Sequence, residues 1–301
     1  MSRRDSDSRM DSIKLERRRK LGGTASARLK KTTGALITYC ILIVVCFVFF
    51  FPCLWLILSS FSATGSLYDT RGFFPSSFSA DAFRDLFTDT ALYNYPRWLL
   101  NTVIIAICSC VLSTILVIGT AYVISHFEFK ARKPLMKTTL VLSMFPSFMG
   151  MTAVYLLMAE FGMLNSIWSL VLMYSCTAPL GYLTQKGFFD TIPASIYEAA
   201  KVDGATEAHI FATITLPLSK PMIVYTALSS FTWPWSDYIL PSMLLSTKDN
   251  WTVAVGLMKL GQDQFSRYAA GSVFIAVPIV IMYFVLAKNM VSGLTSGSVK
   301  G

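Results

Sequence analysis

Six stretches of this chain run without a single Asp, Glu, Lys or Arg, at lengths that suit a membrane far better than a soluble core. They cover residues 32–68, 98–125, 138–159, 161–185, 221–236 and 268–287; the fifth is broken by Asp237 and resumes to residue 247. A helix takes about 20 mostly apolar residues to cross roughly 30 Å of hydrocarbon. The pattern therefore predicts an all-α membrane protein with six transmembrane helices. Composition agrees: 54% of the 301 residues are hydrophobic and 14% charged, whereas an average soluble domain carries about 25% charged residues. A disordered chain, a nucleic-acid-binding module and a secreted disulfide scaffold are disfavoured together.

Charge then orients the spans. Residues 1–31 hold 11 Lys/Arg against 4 Asp/Glu, which by the positive-inside rule keeps this basic N-terminal segment in the cytoplasm. The first outer loop, 62–96, sets Asp69, Asp81, Asp85 and Asp89 against Arg71 and Arg84. The loop after span two brings Lys130, Arg132, Lys133 and Lys137 against Glu128, and so lies inside. Six crossings place both termini in the cytoplasm of a multi-pass cell-membrane protein, with a permease domain over 32–290 and a tail over 291–301. The net charge of +9 is thus a topology signal that calls for membrane lipid and no nucleic acid. The first apolar run is too long, and starts too late, for a cleaved signal peptide.

No catalytic residue emerges. His126 and His209 fall in different cytoplasmic loops, and no H-E-x-x-H helix, C-x-x-C pair, G-x-S-x-G elbow or G-x-x-x-x-G-K-[ST] loop occurs. Cys40, Cys46, Cys53, Cys108, Cys110 and Cys176 all lie within spans and read as small buried hydrophobes, with no metal site among them. The chain is expected to be no enzyme and to bind no cofactor, so another subunit supplies the energy for any active work. Pro52, Pro146, Pro179, Pro234, Pro241 and Pro278 fall in or at the ends of spans, where each removes a backbone donor and loosens the helix. Transport proteins tolerate that where freed carbonyls face a cavity or a neighbouring helix.

Between spans four and five the chain stays inside over 186–216 without being basic, and it is patterned as structure. Ser195 and Glu198 after Pro193 form a capping-box signature. Ile196, Ala199, Ala200 and Val202 give the short helix an apolar side, and Gly204 ends it. A second helical stretch through Ile210, Phe211 and Ile214 reaches Leu216 and Pro217, where the proline can start span five. The expected product is a helix–Gly–helix elbow on the cytoplasmic surface.

The string EAAKVDGATEAHIFATITLP, from Glu198 to Pro217, resembles the EAA loop of ABC importer permeases: E-A-A, three residues, G, nine residues, I-x-L-P. The resemblance implies the type I ABC importer permease fold and a coupling loop (190–217) that sits in a cleft of a partner ATPase. By position, Glu198, Ala199 and Ala200 open the coupling helix, Asp203 and Gly204 stand at its turn, and Ile214, Leu216 and Pro217 set its exit. Two roles stand open for Glu198, a pairing with a cation on the ATPase and a local cap with Ser195; Asp203 has the same pair of readings, partner contact or helix end. The preceding GFFDTIPASIYEAAKVDGAT has the form common in the carbohydrate branch. The C-terminus resembles the tail of the shorter permease subunit of maltose/maltodextrin importers, which implies that Gly293, Ser296, Gly297, Ser298, Lys300 and Gly301 reach between the ATPase subunits.

The same resemblance implies a heterodimer with a second homologous permease, two ABC ATPase subunits that bind ATP and Mg, and an extracytoplasmic sugar-binding protein. Maltose, maltodextrin or a related oligosaccharide is the implied cargo, with another sugar or a polyol as the alternative. Asn250, Trp251, Gln262 and Gln264, in the outer loop 246–267, occupy the position of a binding-protein contact. Asp237, flanked by Trp233, Trp235 and Tyr238, has two readings. One is a sugar-gripping patch on the substrate pathway; the other is a hydrated break near the outer interface, where Pro234 and Pro241 interrupt the helix. An ion-coupled carrier working alone expects several intramembrane charges, and here only Asp237 is embedded. A non-transporting scaffold leaves the elbow's fixed spacing without a purpose.

Overall fold

The computed structural model describes residues 34–66, 73–90, 93–176 and 179–296. The basic segment 1–31 lies outside the described residues. The chain divides into two compact units, residues 1–56 and 57–301. The described part of the first is most of helix α1 (Gly34–Ser60), an apolar rod with Leu36, Ile43, Phe47 and Phe49 all exposed. Its outward side chains are those of a helix meant for lipid or a neighbouring apolar surface.

Among the described residues the regular elements of the second unit are helices, beside an isolated bridge between Ser62 and Phe78. A short α2 (Asp81–Thr88) precedes α3 (Tyr95–His126), followed by α4 (Arg132–Ser143), α5 (Met151–Glu160), α6 (Ile167–Cys176) and α7 (Pro179–Phe189). Then come α8 (Ala194–Val202), α9 (Glu207–Ile210), a π-turn at Phe211–Thr215, α10 (Leu216–Leu218) and α11 (Lys220–Ser236). The chain closes with α12 (Ile239–Leu244), α13 (Val253–Met258) and α14 (Phe265–Ser296).

Among the described residues four helices are long and apolar enough to cross a membrane: α1, α3, the α6–α7 stretch Ile167–Phe189, and Gln262–Ala287 within the last helical segment. Two bent pairs also qualify, which makes six if each pair is one span. The third expected span is therefore no straight rod. It bends by 93° between Arg132–Ser143 and Phe148–Glu160, at Pro146, which has no N–H to continue the ladder and whose carbonyl instead accepts from the Met149 amide at 3.0 Å.

The core is organised around α3. Its small buried residues Ala106, Ser109, Ser113 and Ala121 let other helices approach closely. Toward α11 the Cys110 thiol donates to the Ala227 carbonyl at 3.2 Å, and the Ser113 and Ser230 hydroxyls pair at 3.1 Å. Toward α6, Ile105 packs with Leu170 and Val171; toward α7, Val117 and Ile118 pack with Tyr182 and Phe189. The cysteines do not follow the expectation of burial. Only Cys110 is buried, Cys108 is half-buried, and Cys40, Cys46, Cys53 and Cys176 are exposed; in an apolar solvent a thiol gains nothing by leaving the surface.

Candidate functional site

The elbow sits at the C-terminal end of α3, and its first half is α8. The helix begins at Ala194, with Pro193 in the capping position and no side-chain cap. The expected capping box of Ser195 and Glu198 is therefore not formed, because the helix starts two residues earlier than that box requires and Ser195 falls inside the first turn. Glu198 is exposed and has no hydrogen-bond or ion-pair partner among the described residues. Ala199 is exposed, Ala200 half-buried, and Tyr197 turns inward. Ile196 and Val202 are left outside, the latter 87% exposed. Ile196, Ala199 and Val202, three residues apart, lay an unpartnered apolar stripe along one side of α8.

The turn follows from glycine chemistry. Gly204 has φ +81°, a left-handed angle that side chains disfavour. Its amide donates to the Lys201 carbonyl at 3.0 Å, and the Ala205 amide reaches back to Ala200 at 2.9 Å. This paired arrangement is the Schellman closure of a helix end. Asp203 is the exposed C-cap residue. The next helix is capped by Thr206, whose hydroxyl accepts from the His209 amide at 3.3 Å; His209 itself is exposed. Ile214 and Leu216 are half-buried, and Pro217 is exposed. The exit is not at Pro217, as expected: this proline lies within the elbow's second arm, and the chain turns by 78° at Ser219 before Lys220 and Pro221 open α11.

Two side-chain clusters tie the elbow to α3. In one, the Tyr122 hydroxyl donates to Glu207 Oε2 at 3.2 Å, and Lys201 pairs with Glu207 Oε1 at 2.7 Å across the turn. His126 stacks on Tyr122 with ring centres 4.4 Å apart and meets the edge of Tyr197 at 4.3 Å. Phe211 also packs on Tyr122, with ring centres 4.6 Å apart. In the second, Asp190 accepts hydrogen bonds from Lys186 and from the Ser125 hydroxyl, the latter at 2.7 Å. Burial alone pushes the Asp190 carboxyl up, but these hydrogen bonds and the charges of Lys186 and Arg132 outweigh it and hold the group below the usual carboxylate range.

The residues around Asp237 are not assembled into one patch. Trp235 is 1% exposed and packs with Ala106, Cys110 and Phe231 in the core, whereas Trp233 is 61% exposed. Tyr238 is half-buried. Neither proline breaks the helix as expected: Pro234 lies inside α11 and Pro241 inside α12. The break is at Asp237 itself, where Oδ1 accepts from the Ile239 amide at 3.0 Å to start α12, and Oδ2 accepts from the Tyr174 hydroxyl at 2.9 Å.

At the opposite end of α3, much of the loop expected on the outer side packs onto the bundle. Val253, Ala254, Val255, Gly256 and Leu257 of α13 are all buried. Trp98 Nε1 donates to the Lys248 carbonyl at 2.8 Å, and Asn101 Nδ2 donates to the carbonyls of Asp249 and Trp251 at 2.7 and 3.0 Å. Asn250 donates to the Asn165 carbonyl at 2.6 Å, and Trp251 packs on Trp98 with centres 5.9 Å apart. Asn250 and Trp251 thus make internal contacts, and both are half-buried. Gln262 is exposed and Gln264 half-buried. In the tail, α14 continues to Ser296, so Gly293 and Ser296 stand in a helix; Gly297, Ser298, Lys300 and Gly301 lie outside the described residues. No group of three or more His, Cys, Asp or Glu is placed to hold a metal among the described residues.

Residues 114–290, which include the whole elbow, match the family described as binding-protein-dependent transport system inner membrane component. The chain belongs to that family. It is 35% identical over 282 residues to the galactooligosaccharides transport system permease protein GanQ of Bacillus subtilis, spanning 92% of this chain and 99% of that protein. It is 37% identical over 281 residues to the maltodextrin transport system permease protein MalD of Streptococcus pneumoniae, again 92% of this chain and 99% of that protein. Among solved structures, a bacterial ABC transporter involved in the import of the acidic polysaccharide alginate matches with a TM-score of 0.71 at 20% identity, over 84% of this chain and 95% of that one. That likeness is one of fold, and the fold is the type I ABC importer permease. As a permease of this family the chain is a non-catalytic, multi-pass membrane subunit.

Sequence reading missed Tyr122, His126, Tyr197 and Glu207 as one unit. The available signal was local: Tyr122 and His126 are one helical turn apart at the end of an apolar run, a place where two polar-tipped rings need partners. Asn165 was also missed. It has φ +56°, and its Oδ1 accepts from the amides of Ser246 and Thr247 at 3.0 and 2.9 Å.

Proposed function

We propose that this permease is one half of the pathway of an ATP-driven importer for maltodextrin or a related oligosaccharide, and that the elbow is where the ATPase pushes. The observation that carries the proposal is the apolar stripe Ile196–Ala199–Val202 on α8, exposed beside the unpaired Glu198. A short amphipathic helix that offers anchors at this spacing is the form in which helices enter a partner's groove. In this reading ATP and Mg bind a pair of ABC ATPase subunits, the coupling helices are drawn together, and the spans rock to open outward. A second, homologous permease supplies the other half of the pathway, and an extracytoplasmic binding protein delivers the sugar. Both termini are cytoplasmic, and the residues after Ser296 extend toward the ATPases.

The cargo assignment is supported by the maltodextrin and galactooligosaccharide relatives at similar identity. The test is Val202→Glu, which puts a charge into the apolar stripe without touching the core. We expect the complex to insert while ATPase subunits no longer co-purify and uptake of labelled maltodextrin stops. Undiminished co-purification and uptake in this variant overturn the coupling role. Uptake of neither maltodextrin nor galactooligosaccharide by the unaltered transporter overturns the cargo.

A further inference from the structure

Away from the elbow, α3 and α4 enclose an open groove of about 420 Å³, within the range of ligand pockets (about 300–1,000 Å³). Ile115, Leu116, Gly119, Val123, Phe129 and Leu135 line it, and all of these side chains except the glycine's are exposed. A Cβ added at Gly119 meets nothing within 4 Å, so the floor of the groove is open along α3.

The chain that contributes Phe129 and Leu135 to this groove is strongly basic. Lys130 directly follows Phe129, Arg132 and Lys133 open α4 just before Leu135, and Lys137 lies one turn further on. Arg132 is committed, since it donates to the Ser125 carbonyl at 3.4 Å and its charge bears on Asp190. Lys130, Lys133 and Lys137 are exposed, and none has an ion-pair partner among the described residues. Glu128 is the single acid between residues 126 and 143.

We propose that this groove binds an anionic phospholipid, with an acyl chain along Gly119 and the phosphate against Lys130 and Lys133. Orientation of the spans explains lysines in the loop but not an apolar channel beside them. Any lipid fills an apolar channel, but only an anionic headgroup answers cations left without partners. The proposal rests on the reading of α3 and α4 as membrane helices and on nothing about ATP or cargo.

The test uses the full-length chain, with the subunits that accompany it, in nanodiscs of equal parts phosphatidylglycerol and phosphatidylcholine. Lipid that survives a delipidating wash is quantified by mass spectrometry. We expect phosphatidylglycerol to be enriched over phosphatidylcholine. The enrichment should fall about fivefold for each cation removed, as the worth of a basic residue near an anionic surface implies, across Lys130→Gln and Lys133→Gln. Gly119→Leu, which fills the channel and leaves every lysine in place, should lower it as well and decides the matter if the lysine variants fail to insert. Equal retention of the two lipids by the unaltered chain, or enrichment unchanged in Gly119→Leu, overturns the proposal. So does Gly119→Cys cross-linking to another subunit in native membranes, since a protein then covers the groove. No transport or ATPase reading enters, so failure here and failure of the coupling role are told apart.

Discussion

The hydroxyl of Tyr122, near the end of α3, donates to Glu207 Oε2 at 3.2 Å, so the longest buried span is fastened directly to the second arm of the elbow. Because Lys201 holds the same carboxylate from the first arm at 2.7 Å, Glu207 joins both arms and the span in one contact. In the proposed coupling, a load on α8 reaches α3 without passing through the backbone exit at Ser219. Tyr122→Phe keeps the packing on Phe211 and His126 and removes only the hydroxyl. The lost hydrogen bond is worth about 0.5–1.5 kcal/mol, too little to unfold the complex. We expect the sugar moved per ATP hydrolysed in proteoliposomes to fall while hydrolysis itself continues.

At Gly204 the elbow depends on backbone angle and not on space. Nothing lies within 4 Å of an added Cβ there, yet φ is +81°. A left-handed angle costs an ordinary residue roughly 1–2 kcal/mol, and a β-branched residue more, whereas Asn tolerates it best after glycine. Gly204→Val should insert normally but uncouple transport from ATP hydrolysis, and Gly204→Asn should retain most of the coupling. Equal loss in both variants points to a side-chain clash with the partner in place of a bent turn, and coupled uptake assays separate the two.

Much of this architecture is legible in the sequence, for identifiable reasons. Apolar run length marks α1, α3 and α14 because a span must be long and uncharged whatever it packs against, and Gly204 is legible because few residues accept its angle. Proline is a poorer guide. Pro146 sits at a 93° bend, yet Pro234 and Pro278 stay inside helices, and the outcome depends on what surrounds the freed carbonyl. Trp233 and Trp235 stand two residues apart in one aromatic-rich string, and only the packing of α11 on α3 decides that one is core and the other surface. The Ser195–Glu198 box fails by two residues of register, which propensity cannot resolve.

Asp237 offers a sharp separation of its two readings. Its carboxylate caps α12 and accepts from Tyr174 across to α6, so its visible work is structural. Asp237→Asn keeps an oxygen for the cap and a polar group for the Tyr174 hydroxyl, and should leave both melting temperature and uptake near normal. Asp237→Ala loses the cap, worth about 0.5–2 kcal/mol, and strands the hydroxyl, so the melting temperature should drop. Loss of uptake in Asp237→Asn at an unchanged melting temperature would instead place the charge on the substrate pathway.

The Asp190 tether has a defined pH window. Its folded pKa is depressed, so its contribution is present above the unfolded carboxyl value of about 3.9 and is lost as pH falls through the lower folded value. From pH 8 down to pH 5 the tether should therefore not titrate. Asp190→Asn should lower the melting temperature by the same amount across that range, with the difference shrinking only in stronger acid.

The end of α3 opposite the elbow is built on close approach. A Cβ on Gly256 would sit 2.0 Å from the Trp98 ring, and one on Gly271 would sit 2.5 Å from Leu257. The clash is with a large, fully buried indole that is itself held by its hydrogen bond to the Lys248 carbonyl, so the neighbour has little freedom to give. Overpacking of this kind costs about 1–3 kcal/mol. Gly256→Ala should lower the melting temperature of the purified complex and loosen α13 from the bundle, raising hydrogen exchange over 246–261. Trp98→Phe, harmful alone because it empties part of the same space, should recover part of that loss when combined with Gly256→Ala. The two residues share one volume, so their effects must be non-additive; simple addition in the double variant would show that α13 is held by something other than this contact.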